Sequence, residues 1–184
     1  MNMTNRYHRL SESNVIMLLA AALMFLLVSG CSSEAESELQ GDERIAAAAL
    51  EAKGYKIVTA LGESDAYVLH EEKLTEHLYM NIWSVQEVEP EQYIGKLVTN
   101  YGFIVSGHPL EHTYASADQS SAYEYHTKVM LSEGKVFGGY SYPVRKDGDF
   151  LMGGVYSIDG KTQEEITGLS YSEWLAQWTK KYAE

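Results

Sequence analysis

A single thiol carries the most reactive side chain of this sequence. Cys31 is the only cysteine among the 184 residues, and it follows a long apolar run, Val15–Val28, by two small residues. A cysteine thiolate is a good nucleophile and can take up a covalent group. One cysteine cannot form an intramolecular disulfide, so the folded part must be stabilised by an ordinary hydrophobic core. The chemistry to expect at Cys31 is therefore covalent modification.

The residues just before the thiol form a short motif. Val28-Ser29-Gly30-Cys31 resembles the lipobox of bacterial lipoproteins, in which an aliphatic residue and two small residues precede the modified cysteine. The resemblance implies that a peptidase recognises Val28, Ser29 and Gly30 and cuts before Cys31. It also implies that the sulfur of Cys31 receives a diacylglyceryl group and that its freed α-amine is a further acylation site. Two acyl chains, at ~0.8 kcal/mol per buried CH₂ group, give lasting membrane attachment.

Residues 1–30 have the pattern of a signal peptide. Arg6, His8 and Arg9 give a basic start, and Val15–Val28 then contains no charged residue. As a helix rising ~1.5 Å per residue, this run would span about 21 Å, short of the ~30 Å hydrocarbon core. The pattern therefore favours a cleaved signal peptide over a permanent membrane span. We expect the mature protein at the cell membrane, lipid-anchored on the extracytoplasmic face.

The charge balance excludes a class of partners. The chain has 14 Lys and Arg against 26 Asp and Glu. Without residues 1–30, which contain Arg6, Arg9 and Glu12, the balance is 12 against 25 and the net charge is −13. Such a surface repels nucleic acid and anionic headgroups, and no basic run counteracts it. We expect no nucleic-acid partner and a membrane contact made through lipid on Cys31.

The histidines are the candidate metal ligands. His108 and His112 are four residues apart, a spacing that would place both rings on one face of a helix, as a zinc site requires. Pro109 disfavours helix at His108, and the order of residues differs from the metalloprotease pattern His-Glu-x-x-His. We therefore expect no metal site and no cofactor.

The sequence contains no motif for nucleophilic catalysis. Gly-x-Ser-x-Gly is absent, and a lipidated Cys31 leaves no free thiol. These features favour a non-catalytic binding or accessory module whose partner is a protein or an envelope polymer. An envelope hydrolase stays open as an alternative, because a Ser/His/Asp site is defined in space rather than in sequence. The other alternative is a metal-binding lipoprotein, in which at least two of four histidines converge: His70, His108, His112 and His126.

The rest of the chain divides into a tether and one domain. Residues 31–40 are small and acidic after Cys31, which predicts a flexible tether. Residues 41–184 are predicted to form a single α+β domain that begins with a helix at Asp42–Lys53. The predicted strands are a hairpin of Tyr55–Leu61 and Ala66–Leu69, then Tyr79–Val88 and Leu97–Val105, and a three-stranded meander of Tyr123–Leu131, Lys135–Val144 and Phe150–Ile158.

The C-terminal segment predicts an amphipathic helix. Ser170 and Glu173 match the capping box, and an aromatic stripe follows at helical spacing: Tyr171, Trp174, Leu175, Trp178 and Tyr182. Two glycine pairs, Gly138-Gly139 and Gly153-Gly154, are interpreted as a seat for Trp174 and Trp178 on the sheet. The predicted fold class is therefore α+β: an antiparallel sheet with an N-terminal and a C-terminal amphipathic helix packed on it.

One segment carries a second resemblance. Ser157–Trp174 (SIDGKTQEEITGLSYSEW) is the part through which the mature chain resembles uncharacterised small lipoproteins of spore-forming Gram-positive bacteria. The resemblance implies a domain of unknown function. It supports the membrane address and implies no activity.

Overall fold

The computed structural model describes residues 39–114, 122–147 and 154–183. This part of the chain contains five strands and five α-helices, with a 3₁₀ helix on each side of the second α-helix. In chain order these are α1 (Gly41–Ala52), β1 (Lys56–Val68), a 3₁₀ helix (Glu71–Thr75), α2 (His77–Ser84), a second 3₁₀ helix (Pro90–Gln92), β2 (Leu97–Ser106), α3 (Leu110–Thr113), β3 (Tyr123–Ser132), β4 (Lys135–Arg145), β5 (Tyr156–Ser157), α4 (Gln163–Thr167) and α5 (Tyr171–Tyr182).

The strands form one antiparallel sheet in chain order, β1-β2-β3-β4-β5. The predicted strands at Leu97–Val105, Tyr123–Leu131 and Lys135–Val144 are confirmed within one residue at each end. Glu133 and Gly134 both have positive φ, 52° and 71°, and form the tight β3–β4 turn. Together with α1 and α5 at the two ends of the domain, the sheet confirms the α+β class.

The predicted hairpin at residues 55–69 is wrong, because these residues form the single strand β1. Gly62, expected in the turn, has φ of 76° inside the strand. The pairing of β1 with β2 shifts register at three places, the last between Glu63 and Asp65. Bulges of this kind absorb extra residues and increase the twist of an edge strand. Turn-type residues here therefore bend the edge strand instead of reversing the chain.

The predicted strand at Tyr79–Val88 is also wrong, because its first half forms the helix α2. Tyr79, Ile82 and Trp83 are spaced by three and four residues, so one face of a helix carries all three. Ile82 and Trp83 are each 2 % exposed, and Tyr79 is half-buried. Strand propensity of aromatic residues is strongly dependent on context, and here burial of the helical face prevails.

The sheet has a core on each face. On the first face α1 packs closely, since Ala46, Ala47 and Leu50 are fully buried against side chains of β2 and β3: Phe103, Val105, Tyr125, Val129 and Leu131. On the second face, sheet residues meet the helices that follow β1. This second core contains Tyr67, Leu69, Leu74, Ile82, Trp83, Val98 and Met130, with Trp178 and Tyr182 of α5 packed against it.

The paired glycines of β4 seat a glutamine rather than tryptophans. A Cβ on Gly138 would lie 2.2 Å from Oε1 of Gln86, at the end of α2. That Oε1 accepts a hydrogen bond from the backbone amide of Gly139 (2.9 Å), and Nε2 of Gln86 donates to the Gly139 carbonyl (3.2 Å). The predicted seat for Trp174 and Trp178 is therefore wrong at this pair. Gly153 lies outside the described residues.

The C-terminal helices begin at capping boxes. The box predicted at Ser170 and Glu173 is confirmed at the start of α5. A second capping box, Thr162 with Glu165, starts α4. This helix ends at Gly168, which has a φ of 71°. Of the predicted last strand, Tyr156–Ser157 forms β5, and residues 150–153 lie outside the described part of the chain.

Candidate functional site

A cleft of about 540 Å³ opens beside the second core. It lies between the chain that leaves α2 and the two C-terminal helices, α4 and α5. Its apolar lining comes from Trp83, Val88, Ile166, Leu169, Trp174 and Trp178, and its polar lining includes Ser84, Thr167 and Gln177. Ligand sites of proteins commonly have volumes of about 300–1,000 Å³ and combine an apolar lining with a few polar groups. In volume this cleft falls within that range, and its accessible lining is more polar than apolar.

The tryptophans of α5 form one wall of the cleft, the tryptophan wall (Trp174 and Trp178). Their ring centroids are 5.0 Å apart with an interplanar angle of 36°. Nε1 of Trp178 donates to the carbonyl oxygen of Leu74 over 2.7 Å, which fixes the orientation of that indole. Tyr182 packs on the other side of Trp178, with centroids 4.6 Å apart. The wall is therefore held in place before any ligand arrives.

Ion pairs connect the opposite sides of the cleft. Nζ of Lys161 lies 3.3 Å from Glu87, and Nζ of Lys181 lies 2.9 Å from Glu89 and 2.6 Å from Glu91. Burial opposes ionisation at Glu91, but its contact with Lys181 lowers the pKa of that carboxyl below its usual range. Exposed pairs of this kind contribute only about 0–1 kcal/mol each. Their role here is to hold residues 86–91 close to the C-terminal segment that contains Lys161 and Lys181.

These pairs also set the charge that a ligand meets. Both lysines of the cleft, Lys161 and Lys181, already contact carboxylates, and Glu165 adds a further negative charge to the lining. An anionic ligand would have to displace an existing pair. The arrangement suits an uncharged ligand that has an apolar face for the indoles and hydroxyl or amide groups for the rim.

No family model, curated protein or solved structure matches the chain. The role of the cleft is therefore inferred from the residues that line it.

The lipobox residues Val28, Ser29, Gly30 and Cys31 all lie outside the described residues, as does most of the predicted tether. Within the described ranges, no helix has the length and apolar character needed to cross a membrane. The lipid attachment stays a prediction from the sequence.

The histidines singled out by the sequence lie apart. His70 and His112 are exposed, His126 is half-buried on β3, and His108 is 1 % exposed beneath Tyr55. Among the described residues, no three His, Cys, Asp or Glu side chains come together as metal ligands. The metal-binding alternative therefore gains no support from these four rings.

His108 has a structural role in the first core. Its Nδ1 accepts a hydrogen bond from the amide of Leu110 (3.1 Å), so Nε2 carries the proton and donates to the carbonyl of Ile158 (3.3 Å). Tyr55 donates to the same carbonyl over 3.0 Å. His108 thus joins the loop after β2 to the end of β5. No serine hydroxyl contacts a histidine ring in the described part of the chain, so the hydrolase alternative has no pair to start from there.

The burial of His108 predicts acid sensitivity. Burial lowers the pKa of His108 below its ordinary value of 6.5, because the charged ring is poorly solvated. The domain keeps its full stability above the pKa that His108 has in the unfolded chain. It loses stability as the pH falls from that value toward the lower pKa that His108 has in the folded domain. We expect the urea midpoint of the full chain to fall between about pH 7.5 and about pH 5.5.

His108→Gln should flatten that pH dependence, whereas His112→Gln, at an exposed ring, should leave it unchanged. His126, whose pKa burial also lowers, keeps part of the slope in both variants. If the urea midpoint of His108→Gln depends on pH as strongly as that of the wild type, His108 is not the source of the acid sensitivity.

Proposed function

We propose that this chain is a bacterial lipoprotein with a non-catalytic binding domain on the extracytoplasmic face of the cell membrane. Residues 1–30 act as the signal peptide, and lipid on Cys31 holds the domain at the membrane. The support for this address is the Val28-Ser29-Gly30-Cys31 motif directly after an apolar run. The domain then meets its partner through the cleft beside the tryptophan wall.

The observation that carries the binding role is the cleft itself. Its volume of about 540 Å³ fits a segment of a ligand, whereas most protein partners bury about 800 Å² of a flatter surface. Rigid aromatic side chains provide contact area at a small entropy cost. Trp178, half-buried and fixed by its hydrogen bond to Leu74, meets this requirement, whereas Trp174 is 6 % exposed and mainly supports the wall.

The chemistry of the rim favours an envelope polymer as the partner. The paired lysines leave no free cation in the lining, and the excess of carboxylates repels anionic ligands. Hydroxyl and amide groups of an uncharged polymer can donate to Glu87 and Glu89 and exchange hydrogen bonds with Gln177. A polymer segment with apolar C–H faces can lie against the tryptophan wall. Of the two partner classes that the sequence leaves open, the polymer fits this surface better.

The two halves of the proposal are tested with two experiments, one on cells and one on their isolated walls. A fatty-acid analogue should label the wild-type chain and leave Cys31→Ala unlabelled; label on the variant would contradict the address. The detergent-purified full chain should then sediment with isolated cell-wall sacculi.

A substitution in the cleft separates specific binding from simple adsorption. Gln177 is exposed and lines the cleft, so Gln177→Trp should fill it and weaken sedimentation about tenfold, equivalent to about 1.4 kcal/mol. Ala176→Trp adds the same side chain at the neighbouring exposed position, which does not line the cleft, and should bind like wild type. Equal binding by the two variants would exclude the cleft, and no sedimentation of the wild type would exclude a cell-wall polymer.

A further inference from the structure

Lys128 on β3 differs from three lysines of this domain that form ion pairs. Lys96, Lys161 and Lys181 each lie within 3.3 Å of a carboxylate oxygen. Lys128 is half-buried, and no carboxylate of the described residues is within ion-pair distance of its Nζ. A half-buried ammonium in a chain with 26 Asp and Glu normally finds such a partner.

A missing side chain makes room for this ammonium. Gly102 of β2 lies directly opposite Lys128 in the sheet. A Cβ on Gly102 would lie 2.5 Å from Nζ of Lys128, so any other residue would displace the charge. The lysine thus lies across the sheet surface rather than extending into solvent. Burial in this position lowers the pKa of Lys128 below its usual value.

The neighbours of Lys128 on this face are hydrogen-bond donors. Tyr140 is its partner on β4, and Tyr142 is the partner of His126. The rings of Tyr140 and Tyr142 stack with centroids 6.3 Å apart, and those of His126 and Tyr142 with centroids 5.6 Å apart. The negative groups nearby are Glu124, 3.7 Å from His126, and the exposed Asp65 on β1. Neither of them pairs with Lys128.

A buried amide lies next to this group. Asn100 is two residues before Gly102 on β2, on the same face, and is 0 % exposed. Neither its Nδ2 nor its Oδ1 has a hydrogen-bond partner among the described residues. Leaving a buried polar group without a partner costs about 1–3 kcal/mol, so such a group in a native fold needs a reason. Because Asn100 is fully buried, it makes the surroundings of Lys128 polar but is not a contact for a ligand on the surface.

We propose that the Lys128 patch (Lys128, Tyr140 and Tyr142) is a second binding site, which takes a carboxylate or phosphate group of an anionic ligand. Its ammonium and phenol groups are the donors that such an oxyanion requires. The net charge of the chain opposes the approach of an anion only over a short range, because the Debye length is about 8 Å at physiological ionic strength. Direct contact with an unpaired ammonium prevails inside the patch.

Titration calorimetry of the full chain in detergent tests the site, with inorganic phosphate and acetate as probes and chloride at matched ionic strength as the reference. Saturable heat with phosphate alone would identify a phosphate site, and saturable heat with both would identify a site for either oxyanion. Lys128→Met keeps the aliphatic stem, removes the charge, and should weaken binding at least about tenfold, the effect of losing about 1.4 kcal/mol.

Two further variants keep the result interpretable. Lys135→Met removes an exposed lysine from β4 and should bind like wild type. Gly102→Ala retains every charge but displaces the ammonium, so it should also weaken binding. Urea midpoints check that each variant is folded. Absence of saturable heat with both probes, or equal binding by wild type and Lys128→Met, would overturn the proposal.

Discussion

Gly139→Ala is expected to destabilise the domain by about 3 kcal/mol or more, since overpacking costs about 1–3 kcal/mol and each lost buried hydrogen bond adds to it. A Cβ at this position would lie 2.4 Å from the backbone oxygen of Lys128 and 3.0 Å from Cδ1 of Ile158. Because the nearer atom belongs to the neighbouring strand, relief requires the sheet itself to move. The total stability of a domain this size is only about 5–15 kcal/mol.

The backbone of Gly139 is also poorly placed to move. Its amide donates to Gln86, and its carbonyl accepts from the amide of Ile158 (3.1 Å) as well as from Gln86. Moving β4 away from Lys128 would stretch these bonds, which join the sheet to α2 and to the end of β5. The added methyl group thus disturbs three elements at once.

Urea denaturation of the full chain provides the measurement. Gly154→Ala is the matched control, since a Cβ there would have no atom within 4 Å. It should unfold at the wild-type midpoint or slightly above it, because alanine restricts the unfolded chain. Similar midpoints for the two alanine variants would show that β4 can shift and would contradict the packing argument.

The parts of the fold that the sequence predicted are those decided by local rules. Strands β2 and β3 alternate apolar and polar residues, and a pattern of period two is typical of a sheet with a buried face. The capping box at Ser170 needs only residues within one helical turn. The bounds of the N-terminal helix were predicted within one residue, and Gly54 follows its end as expected. The apolar face indicated by the spacing of Ile45, Ala48 and Ala52 is wrong, because these residues are exposed and the sheet buries Ala46, Ala47 and Leu50 instead.

The errors fall where distant partners decide the outcome. Gly62 is a good turn residue, but β1 pairs with β2 along its whole length, and the glycine becomes a bulge. Tyr79 and Trp83 favour a strand in isolation, yet they bury one side of α2 against the second core. Nothing local to Gly138 indicates Gln86, which lies more than fifty positions earlier in the chain.

The candidate site was unpredictable for the same reason. Its wall was visible, because Trp174 and Trp178 form a stripe on a predicted helix. Its other side is made by residues 86–90, which follow a helix that the sequence indicated as a strand. The Lys181–Glu89 pair that joins the two sides spans 92 positions. Electrostatic pairing at that separation depends on the completed fold and leaves no signal in either segment alone.

Trp178→Ala is expected to reduce stability by about 3 kcal/mol, the lower end of the usual cost of truncating a packed tryptophan, because Trp178 is only partly buried. Trp178 packs against the second core between Trp174 and Tyr182, and its Nε1 satisfies the carbonyl of Leu74 in the first 3₁₀ helix. The variant leaves a cavity at the junction of α5 with that helix and an unsatisfied carbonyl beside it. Trp174, which is 6 % exposed, and Tyr182 still hold α5 in place, so the loss should appear as a lower urea midpoint of the domain.

Two further substitutions separate packing from hydrogen bonding and from surface effects. Trp178→Phe retains most of the ring and removes the donor, so a loss of about 1 kcal/mol is expected. Tyr171→Ala, in the same stripe but 50 % exposed, should leave the urea midpoint near that of wild type. The opposite pattern is equally informative. If Trp178→Ala unfolds at the wild-type urea midpoint but no longer sediments with cell-wall sacculi, the indole contacts the ligand and does not stabilise the core. The tryptophan wall would then be a binding surface that is not needed for folding.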